Sequence, residues 1–163
     1  MNLIYLSLGS NLGHREHNLE EALEKIQNRI GGLEAISRIY ETESWGYSSE
    51  NRFFNCCLSL RTKMDPLDLM ELLLEIEHEM GRHREGKGYS DRLIDIDLLL
   101  YGDIQLDLPS LKVPHPAMGE RKFVLAPLAE IAPELIHPVA GISISRMLDL
   151  CSDPSAVHPL PKT

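Results

Sequence analysis

Cysteine, tryptophan, positive charge and long apolar runs are all scarce in this chain. Three cysteines, two of them adjacent at Cys56 and Cys57, make neither a disulfide framework nor a zinc-ligand spacing, which points to a reducing compartment. No apolar run approaches the roughly 20 residues needed to cross a bilayer, and the stretch from Met1 to Gly9 lacks a basic n-region and a cleavage site, so a cytoplasmic location is expected. Lys and Arg number 16 against 25 Asp and Glu, a formal net charge of -9, which disfavours general attraction to nucleic acid or to an acidic membrane. What is present suits one globular domain over residues 1–151. Its 163 residues are 43% hydrophobic and 25% charged, and at this length folding buries about 70% of the unfolded chain's surface.

Against the acidic background, one segment concentrates chemistry. In Arg92-Leu-Ile-Asp95-Ile-Asp97-Leu-Leu-Leu100, two carboxylates stand two residues apart in what otherwise reads as a buried strand. Residues i and i+2 of a strand share a face, so Asp95 and Asp97 lie side by side, about 7 Å apart at Cα. Ile94, Ile96, Leu98 and Leu100 are expected on the opposite face. Two like charges on a half-buried surface repel, and a divalent cation removes the conflict. Oxygen ligands suit a hard ion, and Mg²⁺ commonly takes one or two carboxylates, completing its shell with water and phosphate. Arg82, Arg84, Lys87 and Arg92 just upstream fit a phosphate beside that metal. The plainer reading is an edge strand with a solvated outer face. The apolar residues around the pair argue against it.

Periodicity places the elements. A strand over Asn2 to Leu8 breaks at Gly9-Ser-Asn-Leu-Gly13, and Leu19, Ala22, Leu23, Ile26 and Ile30 recur at helical spacing until Gly31-Gly32. Leu33 to Tyr40 and Phe54 to Leu60 read as strands, separated by the polar stretch Glu41 to Arg52, too long for a tight hairpin and a candidate for function. Asp65-Pro66 is an N-cap followed by proline at N1, opening a helix whose apolar face is Leu67, Met70, Leu73, Leu74 and Met80. The Asp95/Asp97 strand follows. The order β-α-β-β-α-β predicts an α+β, ferredoxin-like core: an antiparallel sheet with helices packed on it. Beyond Gly102 come a short hairpin, the loop Val113-Pro-His115-Pro, helical stretches near Met118 to Ile131 and Ser145 to Cys151, and a tail, 152–163, expected to be poorly ordered.

Six pieces occur in register: Gly9-Ser-Asn11-Leu, Phe53-Phe-Asn55, Gly81-Arg82-His-Arg84, Arg92-Leu-Ile-Asp95-Ile-Asp97, Val113-Pro-His115-Pro and Arg121-Lys-Phe123-Val-Leu-Ala-Pro-Leu. Together they resemble the 6-hydroxymethyl-7,8-dihydropterin pyrophosphokinase family of folate biosynthesis, and the likeness covers nearly the whole chain. It implies transfer of pyrophosphate from ATP to the pterin's hydroxymethyl group, giving AMP, with two Mg²⁺ ions held by Asp95 and Asp97. It further implies Arg82 and Arg92 as catalytic beside the two aspartates, and Glu77, Arg82, Arg84, Arg92, His115 and Arg121 as the ATP-binding set. A guanidinium fork pairs bidentately with phosphate, which suits the arginines to that task.

A flat polar bicyclic ring wants aromatic plates on its faces and amide donors and acceptors at its edge. Phe53 and Asn55, two apart at the start of a strand, offer one of each. By the resemblance, Phe123 supplies the second plate, and Thr42 with the backbone near Glu43 to Trp45 meets the ring edge. Gly9 is expected to let the ligand approach the backbone. Phe53 and Phe123 as ordinary core residues remain the alternative. The loops 41–52 and 82–92 are expected to move on ATP binding. The chain departs from the family pattern at Tyr89, where a tryptophan is common, at Asp91, where a proline often precedes the arginine, and at Ser110 and Lys112.

Two other functions fit parts of the pattern. A different Mg²⁺-dependent phosphoryl or nucleotidyl transferase shares the paired aspartates but needs no pterin pocket. A non-enzymatic small-molecule-binding domain needs no arginines around them. The expected partners are small molecules, with the chain a monomer or weak dimer.

Overall fold

A computed structural model describes residues 1–81 and 91–161. Its core is an antiparallel sheet built from β1 (Asn2–Ser10), β2 (Leu33–Ile36), β3 (Tyr40–Thr42), β4 (Phe53–Thr62) and β5 (Asp95–Tyr101), with β8 (Val157–Pro159) at one end. The strand order is β5-β1-β4-β3-β8, and β2 also pairs with β4. β6 (Leu106–Leu108) and β7 (Leu111–Val113) make the short hairpin.

Helices cover both faces, which is why the central strands are apolar almost throughout. On one side α1 (Arg15–Arg29) and α2 (Pro66–Glu79) bury Leu19, Ala22 and Ile26 with Leu69, Leu73 and Ile76, against Ile4, Leu6 and Leu8 of β1 and Cys56, Leu58 and Leu60 of β4. Leu73 is wholly buried, so its truncation to Ala costs about 2–5 kcal/mol. On the other side α3 (Lys122–Ile131) and α4 (Ile144–Leu150) bring Val124, Leu125, Leu128, Ile144 and Met147 onto Tyr5, Cys57, Leu99 and Leu100. α2 starts as its sequence dictates: the Asp65 carboxylate accepts from the N–H groups of Leu67 at 2.9 Å and Asp68 at 3.3 Å, ahead of Pro66.

Four expectations need correction. The buried face of α2 is turned from the expected one: Leu67 and Leu74 are exposed, and Leu69 and Ile76 join Leu73 in the core. The stretch 33–40 is not one strand. β2 faces Leu58 to Leu60 and β3 faces Phe53 to Asn55 on the same edge of β4, and Ser37 spans the break, donating its N–H to Cys57 O at 2.9 Å while its hydroxyl accepts from Cys57 N at 3.0 Å. Leu100 does not lie opposite the aspartates. Tyr5 pairs with Leu100 but Leu6 with Leu98, so a bulge at Leu99 flips the alternation and sends both Leu99 and Leu100 to the α3 side. The tail, finally, is built into the fold: Val157 to Pro159 pair with Tyr40 to Thr42, Leu160 N–H donates to Ile39 O at 2.8 Å, and Asp153 accepts from Lys122 N–H at 3.1 Å. An open sheet edge at β3 gives those backbone groups partners that composition alone does not reveal. Among the described residues no helix is long and apolar enough to cross a membrane.

Candidate active site

The face carrying α3 and α4 is only partly covered, and the site lies on its open end. Directly opposed residues of an antiparallel pair share a face. Gly9 of β1 pairs with Asn55 on one side and Asp95 on the other, Ser7 likewise with Cys57 and Asp97, and Tyr40 faces Asn55 while Thr42 faces Phe53. The sheet therefore aligns Asp95 and Asp97 with Asn55, Thr42 and Phe53 across one glycine. Ser7, Asn55 and Thr42 are buried, and Asn55 Nδ2 donates to Thr42 Oγ1 at 2.6 Å. A Cβ on Gly9 would sit 2.6 Å from Asn55 Oδ1 and 3.5 Å from Phe53 Cδ1. The glycine thus makes room first for the asparagine amide.

β5 is the end strand of the sheet, yet its outer edge is not solvated. The carboxylate of Glu77 on α2, only 2% exposed, accepts the Ile96 N–H at 2.6 Å, between the two aspartates. The carbonyl of the bulged Leu99 accepts from His115 N–H at 2.9 Å. Side chains and loops from elsewhere thus occupy the free edge, which reconciles an edge position with the run of Ile and Leu. Glu77, expected in the ATP set, holds the strand that carries both aspartates.

Arg92 reaches Asp95 Oδ2 through Nη1 at 3.3 Å, with side chains 10% and 20% exposed, and its guanidinium stands 5.5 Å from the Phe53 ring centroid. Arg121, buried at the entrance to α3, sits 4.6 Å from the Trp45 ring and 5.7 Å from that of Phe123. Both expected aromatic plates accordingly carry a guanidinium, and Trp45 of the 43–52 loop joins them. Glu43 is exposed. Arg82 and Arg84, with Lys87 and Tyr89, lie outside the described residues.

His115 is held as a neutral donor. Burial pushes its pKa down to about 4, helped by the Arg121 charge and opposed by Asp95. Its Nδ1 accepts from Ala117 N–H at 3.2 Å, so the neutral ring carries its proton on Nε2. Val113–Pro114, just before it, is a cis peptide. The two thiols beneath the site are inert: burial raises Cys56 to about 12 and Cys57 well above its ordinary value.

Among the described residues no group of three or more His, Cys, Asp and Glu side chains is placed to hold an ion. Two carboxylates on one open face suit Mg²⁺, which retains water and takes substrate phosphate.

Residues that sequence reasoning left without a role surround Asp91. Its Oδ1 accepts from Asn11 Nδ2 at 2.8 Å, Tyr47 OH at 2.9 Å and Ser49 Oγ at 2.7 Å, and its Oδ2 from Asn51 Nδ2 at 2.7 Å. Asn11 belonged to a recognised motif, and the Ser, Tyr and Asn content of the 43–52 loop was the only signal for the others.

A model of the family described as 7,8-dihydro-6-hydroxymethylpterin-pyrophosphokinase matches residues 5–133. A 2-amino-4-hydroxy-6-hydroxymethyldihydropteridine pyrophosphokinase of Porphyromonas gingivalis is 46% identical over 143 residues, covering 86% of this chain and 97% of that protein. The enzyme of the same description from Bacillus subtilis is 41% identical over 135 residues, 82% of this chain and 80% of its own. Among solved structures, a Plasmodium falciparum HPPK-DHPS crystal structure superposes with a TM-score of 0.76 at 18% identity. It takes in 91% of this chain, which spans 45% of that longer one, and it speaks for the fold alone.

Proposed function

The chain belongs to the 7,8-dihydro-6-hydroxymethylpterin-pyrophosphokinase family, and from that premise we infer how its residues carry out pyrophosphate transfer from ATP to the hydroxymethyl group of the dihydropterin in folate synthesis. The hydroxyl oxygen attacks the β-phosphorus in line, the bond from that phosphorus to the α,β-bridging oxygen breaks, and AMP leaves. Such a reaction needs alignment and dispersal of charge more than a covalent group.

The observation that carries the assignment is the shared sheet face: Asp95 and Asp97 stand one strand away from Asn55, with Gly9 between. Asn55, set by Thr42, reads the pterin edge, Phe53 and Phe123 flank the ring, and Trp45 with the backbone at Glu43 closes over it. Arg92 and Arg121, together with Arg82 and Arg84, hold phosphate oxygens, and the Nε2–H of His115 donates to another. Glu77 keeps the strand of both aspartates in place. Asp95 and Asp97 are the ligands for two Mg²⁺ ions, which when bound draw charge from the triphosphate. The hydroxyl proton passes to one of these carboxylates. The strand order supports a ferredoxin-like core, the pyrophosphokinase domain takes in the tail strand β8, and its partners are ATP and the pterin.

The test is an assay with ATP, Mg²⁺ and the hydroxymethyl dihydropterin that separates AMP from ADP and free pyrophosphate. AMP and pterin diphosphate are expected in equal amounts, and Asp97→Ala, still folded, should lose at least about two orders of magnitude in rate. ADP as product, or near-normal turnover of that variant, overturns the assignment.

A further inference from the structure

Asp91 is half-buried and faces four side-chain donors from two separate stretches of chain. A carboxylate accepts only, through two oxygens with about four lone-pair directions. Its chemistry therefore matches Asn11, Tyr47, Ser49 and Asn51 without leaving a donor facing a donor. Burial works against the charge, but the hydrogen bonds of Ser49, Asn51, Asn11 and Tyr47 outweigh it and keep the carboxyl below its ordinary range.

The connection runs onward to the site. Asn11 is 3% exposed, and while its Nδ2 binds Asp91, its Oδ1 accepts the Arg92 N–H at 2.7 Å and its own N–H donates to Arg92 O at 3.0 Å. The same Nδ2 also reaches Tyr47 OH at 3.1 Å and Asn51 O at 3.2 Å. The Arg92 backbone is thus locked to the end of β1, and its side chain extends to Asp95 and the Phe53 ring. We propose that Asp91 is a positioning residue: through Asn11 it ties the 43–52 loop, on the pterin side, to Arg92, on the phosphate side, so that the two substrates are held in one register. This rests on the proposed roles of Arg92 and of that loop.

Asp91→Asn is nearly isosteric but presents an NH₂ where one acceptor oxygen stood, and Asp91→Ala removes every acceptor. Amide hydrogen exchange without substrate reads the tie directly, because local opening of a loop follows the bonds that close it. In both variants the amides of 43–52 should lose about tenfold or more in protection, while those of β1 and β4 and the unfolding midpoint stay near wild type. In the AMP assay KM for the pterin should rise about tenfold and kcat should fall about tenfold, with KM for ATP within about threefold of wild type. A purely structural aspartate would shift the midpoint without that split. If either variant is poorly folded, Ser49→Ala and Tyr47→Phe each remove one donor and should show the same changes at smaller amplitude. Unchanged loop protection, or lost protection with unchanged KM, refutes the proposal. A wild-type protein that exchanges as expected but makes no AMP refutes instead the assigned reaction.

Discussion

Replacing Gly9 by alanine tests the site at its narrowest point. The added Cβ would lie 2.6 Å from Asn55 Oδ1, roughly 0.7 Å inside an ordinary carbon–oxygen contact. β1 is fixed on both sides by its ladders to β4 and β5, so the side-chain amide yields. Turning it away breaks the 2.6 Å bond to Thr42 Oγ1, between residues 3% and 1% exposed. A buried donor deprived of its partner costs about 1–3 kcal/mol, and relief of the strand's glycine entropy returns roughly 0.5–1. Gly9→Ala should therefore lower stability by about 1–2 kcal/mol in urea unfolding. With the amide turned from the pterin edge, KM for the pterin should rise about 10- to 100-fold, with KM for ATP within about threefold of wild type. Asn55→Ala removes the clashing atom, so in that background the same substitution should be nearly neutral, giving a coupling of about 1–2 kcal/mol in a stability cycle. An equal penalty in both backgrounds, or an unchanged pterin KM, would refute the argument.

Two further outcomes follow from the geometry. His115 has a folded pKa of about 4 against about 6.5 unfolded. The stability it contributes is present above pH 6.5 and is lost as pH falls from there through 4, by about 3 kcal/mol; unfolding curves of wild type minus His115→Gln should show that slope in this window, and a flat difference excludes it. Glu77→Ala leaves the Ile96 N–H without its buried acceptor, costing about 1–3 kcal/mol, and should lower kcat by misplacing Asp95 and Asp97. Glu77→Gln, whose side-chain oxygen still accepts, should recover most of both effects, and a Gln variant as impaired as the Ala variant would show that the hydrogen bond is not the cause.

The reach of the sequence can be read residue by residue. Asp65-Pro66 announced the start of α2 because an N-cap is a local device, acting through N–H groups two and three residues away. The spacing of Asp95 and Asp97 settled that they share a face, because the two-residue repeat of a strand needs no tertiary information. The motif Phe53-Phe-Asn55 likewise placed an aromatic and an amide together. Leu100 leaves the face that the two-residue repeat predicts because the bulge at Leu99 arises only when β5 registers against β1.

What the chain determined unaided was therefore periodic or local: its helices and central strands, the paired carboxylates and the motifs marking its family. What only the tertiary structure decided was which distant groups meet. Glu77 closing the edge of β5, the tail strand covering β3, Gly9 clearing space for Asn55, and four donors converging on Asp91 span 19 to more than 100 residues of sequence. Such pairings depend on the register and stacking of elements already formed, and a hydrogen bond between remote side chains leaves no periodic mark in the order of the residues.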